Sequence, residues 1–286
     1  MEQIRQAIAS AVRGRVAGAD GAGRARELLD AEGPRWFVPG SPIWRVHDDV
    51  SMFVGGLRAL LLQSLHPLAM AGVAQHSDYR ADPWGRLQRT ADFLAATTFG
   101  TEHQAAEACA RVRAVHKHVR GVASDGRPYS ADDPHLLRWV HVTEVDSFLV
   151  AHDRYGERRL GPSQRDSYVA DVARVASELG VPDPPRSVEA LRRTIGSFRN
   201  ELAGTAEARE AARFLLAPPL PPPAIGPYAV LSAAAIGLLP RWARRPLQLP
   251  WLPVTETIAV RPAGRVLIGG LRWALSAPSS SADAAR

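Results

Sequence analysis

The chain has 286 residues, 46% hydrophobic and 22% charged, a balance that supports one large folded core and excludes a mostly disordered protein. Its net charge is +6, yet Lys117 is the only lysine among 35 basic residues, and the arginines alternate with acids instead of forming a one-sided basic stripe, so no nucleic-acid partner is expected. Cys109 is the only cysteine, which excludes an intrachain disulfide and a cysteine zinc cluster and leaves it as a small core residue.

At the N-terminus, Arg5, Arg13 and Arg15 interrupt every apolar run, so neither a signal peptide nor an anchor is expected. The cytoplasm is the expected location, with peripheral membrane contact as the other option. The longest apolar run, Tyr228 to Leu239, is too short to span a bilayer, so no transmembrane segment is expected.

Helical periodicity dominates the chain, and no alternating pattern suggests a sheet. A first helix is expected over 2–14, followed by a glycine joint at 18–23. Residues 55–65 are apolar nearly all round and belong in the core. His66 precedes Pro67, so the chain turns there and a new helix starts at Pro67. Asp82 and Pro83 start another helix, running to about Thr98 and stopped by Gly100. Thr101 and Gln104 form a capping box for a helix to Arg120, and Asp133 with Pro134 begins one that Gly156 stops. Amphipathic helices follow around 163–180 and 187–203. The segment APPLPPPAIGP is expected to be non-helical, because its prolines lack donors. The residues from Ser276 to Arg286 read as a disordered tail. The fold class is therefore mainly α, a single helical domain in residues 40–252, with an N-terminal helical arm over 1–39 and a C-terminal extension over 253–286.

Three groups of residues could carry chemistry. On the helix after Thr101, the apolar stripe is Ala105, Ala108, Cys109, Val112, Val115 and Val119, and His116 falls within it, whereas His118 lies about 200° round the helix from His116. One imidazole on an apolar face suits an axial ligand to haem iron; a core histidine bonded to a carbonyl is the plainer reading. On the helix after Pro134, His141 and Glu144 lie one turn apart on the face of Leu137, Val140, Val145, Phe148 and Leu149. A buried carboxylate needs a partner, and His141 or an arginine is the expected one, as an internal pair or as support for a metal ligand. Arg86 and Thr90, also one turn apart, offer a guanidinium fork and a hydroxyl that suit a carboxylate such as a haem propionate, although solvated helix surface would explain them equally. The motifs of zinc proteases, di-iron bundles, serine hydrolases and nucleotide-binding loops are all missing.

Taken together, His66-Pro67, HSDYRADPWGRLQRT with Arg86 and Thr90, Phe99 to Thr101, RVRAVHKHVRG with His116, and WVHVTEVDSFL resemble the oxygenase MpaB and rubber oxygenase (latex-clearing protein) catalytic domain family over roughly residues 40–250. The resemblance implies a globin-like helical core that holds haem b, with His116 as proximal metal ligand and Arg86 and Thr90 in haem binding. It implies oxidation of unsaturated isoprenoid chains with dioxygen. His141 and Glu144 sit in the matching helix and join Arg86 and Thr90 as candidate catalytic residues. The rubber-oxygenase branch has a lysine where this chain has Arg89, and arginine stays protonated and cannot ligate iron. The side opposite His116 is thus expected to stay open unless His66 or His76 reaches it.

The expected function is a haem b-dependent oxygenase that uses dioxygen on a small hydrophobic substrate of isoprenoid or lipid-like type. The alternative is a non-catalytic haem-binding or apolar-ligand-binding protein, one version of which would use the segment Tyr228 to Arg245 at a membrane surface.

Overall fold

Prolines and side-chain caps set most of the helix starts. The computed structural model describes residues 5, 6, 9, 10, 14, 21–77 and 80–276, so most of the helix expected over 2–14, residues 18–20 of the joint after it, and the tail beyond 276 fall outside the described residues, while residues 21–23 of that joint are helical and not a joint. Helix α1 spans Gly21–Asp30, α2 Pro42–His47, α3 Met52–Gln63, α4 Pro67–His76 and α5 Pro83–Phe99. Asp82 caps α5 by accepting from the Gly85 N–H at 2.8 Å. Helix α6 spans Glu102–His116 and opens with the expected capping box, in which the Thr101 hydroxyl and the Gln104 side chain each accept from the other's backbone N–H. Helix α7 spans Pro134–Tyr155, α8 Pro162–Glu178, α9 Val188–Ser197, α10 Ala206–Leu216 and α11 Pro222–Leu238. Short turns α12 (Arg241–Arg244) and α13 (Pro253–Thr255) lead through a π turn into α14 (Arg261–Leu275). The class is mainly α.

Three further expectations differ from the structure. Helix α6 ends at His116, not Arg120, and the chain continues into a hairpin of β1 (Arg120–Val122) and β2 (Pro128–Ser130), antiparallel with Gly121 opposite Tyr129. The turn carries Asp125-Gly126, with Gly126 at φ +84°, where a side chain would be strained. Val115 is 61% exposed and does not belong to the buried stripe. The proline-rich segment is partly helical: α11 begins at Pro222 and continues through Pro227. Prolines in a first turn cost no hydrogen bond, since those N–H groups have no acceptor in the helix, and only Pro227 removes one.

The centre of the molecule is the crossing of α3 and α7. A Cβ on Gly55 would lie 2.7 Å from Phe148 Cδ1 and 3.1 Å from the Phe148 Cα, so only glycine lets the two backbones approach this closely. Arg58, 4% exposed, crosses the same interface, donating to the Ser147 hydroxyl at 2.7 Å, the Asp146 carboxylate at 2.8 Å and the Leu238 carbonyl at 2.9 Å. A buried charge requires such complete pairing. Around this crossing, Trp139, Val142, Tyr168, Val169, Leu191 and Phe198 fill one core between α7, α8 and α9. Helix α14 docks on the far side, where Arg272 meets the Asp49 carboxylate at 2.9 Å. Between α3 and α4 the chain bends by 107° at His66-Pro67, and among the described residues no single helix is long and apolar enough to cross a membrane.

Candidate active site

Helices α5, α7 and α8 and the C-terminal end of α6 enclose a cavity of about 90 Å³. Phe93, Leu94, Leu137, Val140, Val172 and Val175 make its walls apolar, and His47, His116, His141 and Glu144 supply its polar atoms. Three of the residues singled out in the sequence, His116, His141 and Glu144, therefore meet in one place although they come from two helices.

Glu144 makes no ion pair or hydrogen bond with any described residue, contrary to the expectation that His141 or an arginine would hold it. Deep burial instead pushes its carboxyl up to about 7, which keeps it largely protonated below neutrality. His141 is pushed down to about 4, chiefly by burial and secondarily by the charge of Arg138, and its Nε2 is buried without a hydrogen-bond partner. His47 was not foreseen. Its Nδ1 lies 2.7 Å from the Thr98 hydroxyl and its Nε2 3.2 Å from the Tyr168 hydroxyl, and burial lowers its pKa to about 3. The clue was its place on the face of Ile43 and Val46 in α2, the criterion that also selects His116.

His116 closes the C-terminal end of α6 and is half-buried, and burial lowers its pKa against the opposing charge of Asp132. The imidazole is thus kept neutral, the state in which it can ligate a metal. Asp132 acts on it through its charge alone, its carboxylate being bonded to Ser130 and Arg120. His118 is exposed, as its position on the helix requires.

Arg86 and Thr90 do not line the cavity. Thr90 is exposed and donates back to the Arg86 carbonyl at 3.0 Å, while Arg86 donates to the Ser77 hydroxyl at 2.7 Å. They extend toward the N-terminus the same stripe of α5 from which Leu94 and Thr97 face the cavity, at helical spacing. Arg89 is exposed and faces Asp82 at 3.4 Å. His66 and His76 also lie outside the cavity: His76 Nε2 bonds the Arg120 carbonyl at 3.0 Å, and His66 is packed against Trp139 and Phe198.

The residues that line the cavity suit an iron porphyrin, because a neutral imidazole faces an apolar space and the buried Nε2 of His141 lacks a partner there. The volume is smaller than the roughly 300 Å³ at which pockets for sizeable ligands begin, so a porphyrin would require α5 to move outward. Helix α5 is suited to that, since only Ala96, Thr97 and Thr98 along its length are fully buried.

The surface-seeking reading of Tyr228 to Arg245 loses one of its cations, because Arg244 is 2% exposed and paired with the buried Glu256, and Arg199 stacks over Trp242 at 4.1 Å.

No solved structure matches the chain. An uncharacterized protein of Mycobacterium bovis, Mb2261, and one of Mycobacterium tuberculosis, Rv2237, are each 30% identical to it over 177 residues, 59% of this chain and 68% of theirs. The family described as "ER-bound oxygenase mpaB/B'/Rubber oxygenase, catalytic domain" matches residues 44–273. The chain belongs to that family and carries an oxygenase-type, oxidoreductase catalytic domain.

Proposed function

We propose that the protein is a haem b-dependent oxygenase that acts with dioxygen on a small hydrophobic molecule of isoprenoid or lipid-like type. The observation that carries this reading is the convergence of His116, His141 and Glu144 on one apolar-walled cavity. Bound haem would supply the activation of dioxygen. His116 would hold the iron, with burial favouring its neutral form. Arg86 and Thr90, on the outward continuation of the α5 stripe, would bond the propionates, where a bidentate guanidinium is strongest. Phe93, Leu94, Val172 and Val175 would exclude water and favour an apolar substrate. Glu144, with a pKa near the operating pH, would hold or release a proton beside the reacting atoms, with His141 and His47 as neutral hydrogen-bonding groups. A globin-like packing of α5 to α8 about the group belongs to the same proposal, as does the assignment of residues 40–252 as the catalytic unit and the cytoplasm as its location.

The test is the absorption spectrum of protein purified from haem-supplemented cells, followed by oxygen uptake with polyprenyl and fatty-acyl compounds. A haem spectrum with substrate-dependent oxygen uptake supports the proposal. A haem spectrum without uptake across the series indicates a carrier or sensor, and protein free of haem overturns it.

A further inference from the structure

Away from the residues that line the cavity, three segments distant in sequence bring two imidazoles and a carboxylate together. His66 occupies the bend between α3 and α4, where the following proline holds it extended at φ −86° and ψ 113°. His135 stands in the first turn of α7, its N–H capped by Asp133 at 2.8 Å. Glu201 ends the 3₁₀ turn Phe198–Glu201 that follows α9, and the Ala203 N–H donates to the Leu65 carbonyl at 2.8 Å, pinning the carboxylate's segment beside His66. We propose that His66, His135 and Glu201 form a binding site for a divalent transition-metal ion of the zinc class, separate from the cavity around His116.

The distances suit such an ion. Glu201 Oε2 lies 3.4 Å from His66 Nε2 and 2.7 Å from His135 Nε2, and one ligand atom from each residue falls within 4.8 Å of the others. A tetrahedral ion with bonds of about 2.0–2.2 Å separates its donors by roughly 3.3–3.5 Å. The His66–Glu201 spacing already meets that, and the 2.7 Å His135–Glu201 hydrogen bond would open by roughly 0.6–0.8 Å on binding.

A second observation points to a ligand. The His66 side chain is 2% exposed, yet neither of its ring nitrogens has a hydrogen-bond partner, and the 3.4 Å approach to Glu201 lacks hydrogen-bond geometry. Leaving buried polar atoms unpaired is costly, and binding through Nε2 would relieve one of the two. Glu201 is also free to serve. In a chain with 35 basic residues its ion pairs, among the described residues, are with these two rings, and the Arg127 guanidinium acts on it and on His66 only through its more distant charge.

Aromatic rings fix the imidazoles on the buried side, and the one opposing charge is that of Arg127, which makes no ion pair with the cluster. The Phe198 ring lies 4.5 Å from the His135 ring and 5.1 Å from that of Trp139, centroid to centroid, so the buried side of the cluster is aromatic. The other side is open, with the His135 side chain 50% exposed and that of Glu201 38%. An ion can enter from there and keep one coordination position for water. Two imidazoles and one carboxylate are ligands that zinc accepts without redox chemistry, so zinc is the expected occupant.

The experiment is a titration of the full-length protein, stripped with chelator, by Zn²⁺ in calorimetry and by Co²⁺ in visible absorption. The wild type is expected to bind one equivalent, with the intense cobalt bands of a four-coordinate site. His135→Ala and Glu201→Gln should each weaken binding by at least the roughly 10–100-fold that loss of an outer-shell partner causes, while exposed His103→Ala and His118→Ala should not alter it. Both test residues are half-exposed, and a melting curve in chelator that matches wild type certifies their folding. If either variant fails that control, zinc-edge X-ray absorption of the wild type decides by itself: two imidazoles with oxygen ligands support the site. Wild-type affinity no greater than that of the His135→Ala/Glu201→Gln double variant, or a zinc shell without two imidazoles, overturns the proposal. Iron and haem content do not enter the readout, so this outcome is independent of the function proposed for the cavity.

Discussion

His141 and Glu144 line the same wall of one cavity, three residues apart on α7, yet they make neither a hydrogen bond nor an ion pair with each other. The two groups are neutralised by burial instead of by pairing, His141 by losing its proton and Glu144 by keeping one. A pair of titratable groups pushed to neutrality in opposite directions is a common preparation for acid–base work at neutral pH.

Glu144 should therefore leave a mark on stability. A carboxyl whose pKa is raised by folding contributes stability that is fully present below its ordinary value of 4.5 and is lost as pH rises to about 7. The loss is on the order of 3 kcal/mol. His47 and His141, with lowered pKa values, act in the other sense: their contribution is present above 6.5 and is lost as pH falls toward 3–4. Comparison with Glu144→Gln isolates the carboxyl. Urea melts at pH 5 and pH 7.5 should show the glutamine variant gaining on wild type at the higher pH, and a difference that does not change with pH would show that Glu144 titrates normally.

His116→Ala should abolish haem retention, whereas His118→Ala should leave it nearly unchanged. His116 is the histidine of α6 that reaches the cavity, and the exposed His118 ring is solvated. Haem content per polypeptide after gel filtration measures both. Equal content in the two variants would remove His116 as the iron ligand.

Why some of this was legible in the sequence and some not follows from the range of the interactions. The caps at Asp82, Thr101 and Asp133 span two or three residues, so their spelling is visible in the chain. His116, His141 and Glu144 were found because helical periodicity shows which face a residue occupies, though not what lies opposite. The missing partner of Glu144 was illegible for that reason: which arginines fall short of it is decided by tertiary packing. The β1–β2 hairpin has strands of three residues, too short for alternation to register, and only Asp125-Gly126 signalled it. His135 and Glu201 lie 66 positions apart, and nothing in that spacing announces their meeting.

Gly55→Ala should destabilise the protein by roughly 1–3 kcal/mol, the usual cost of adding a methyl to a filled core. The added carbon would strike both the ring of Phe148 and its backbone, and a backbone atom cannot rotate away. Denaturant unfolding measures the change. Phe148→Leu in the same chain should recover little of it, because the clash with the backbone of residue 148 persists whatever side chain it carries. Full recovery would show that the ring alone sets the distance between α3 and α7.

The two arginines of α5 stand in different surroundings. Arg86 and Thr90 lie one turn apart on the stripe that continues to Leu94 and Thr97 at the cavity, while Arg89 points to solvent and meets Asp82 at 3.4 Å. A propionate that emerges from the cavity along this stripe of α5 would pass Thr90 and then meet Arg86, with Arg89 off the stripe. Arg86→Ala should thus lower haem affinity more than Arg89→Ala does. Exposed ion pairs of the Arg89–Asp82 kind contribute only about 0–1 kcal/mol, so the Arg89 variant should fold and bind almost as wild type. Arg86→Lys should restore the effect in part, since a lysine keeps the charge and loses the bidentate fork. Haem transfer to an apomyoglobin acceptor, followed by absorption, gives the three dissociation rates. If Arg89→Ala loses haem faster than Arg86→Ala, the propionates are anchored on the outer face of the helix, and the stripe of α5 does not define the direction of the group.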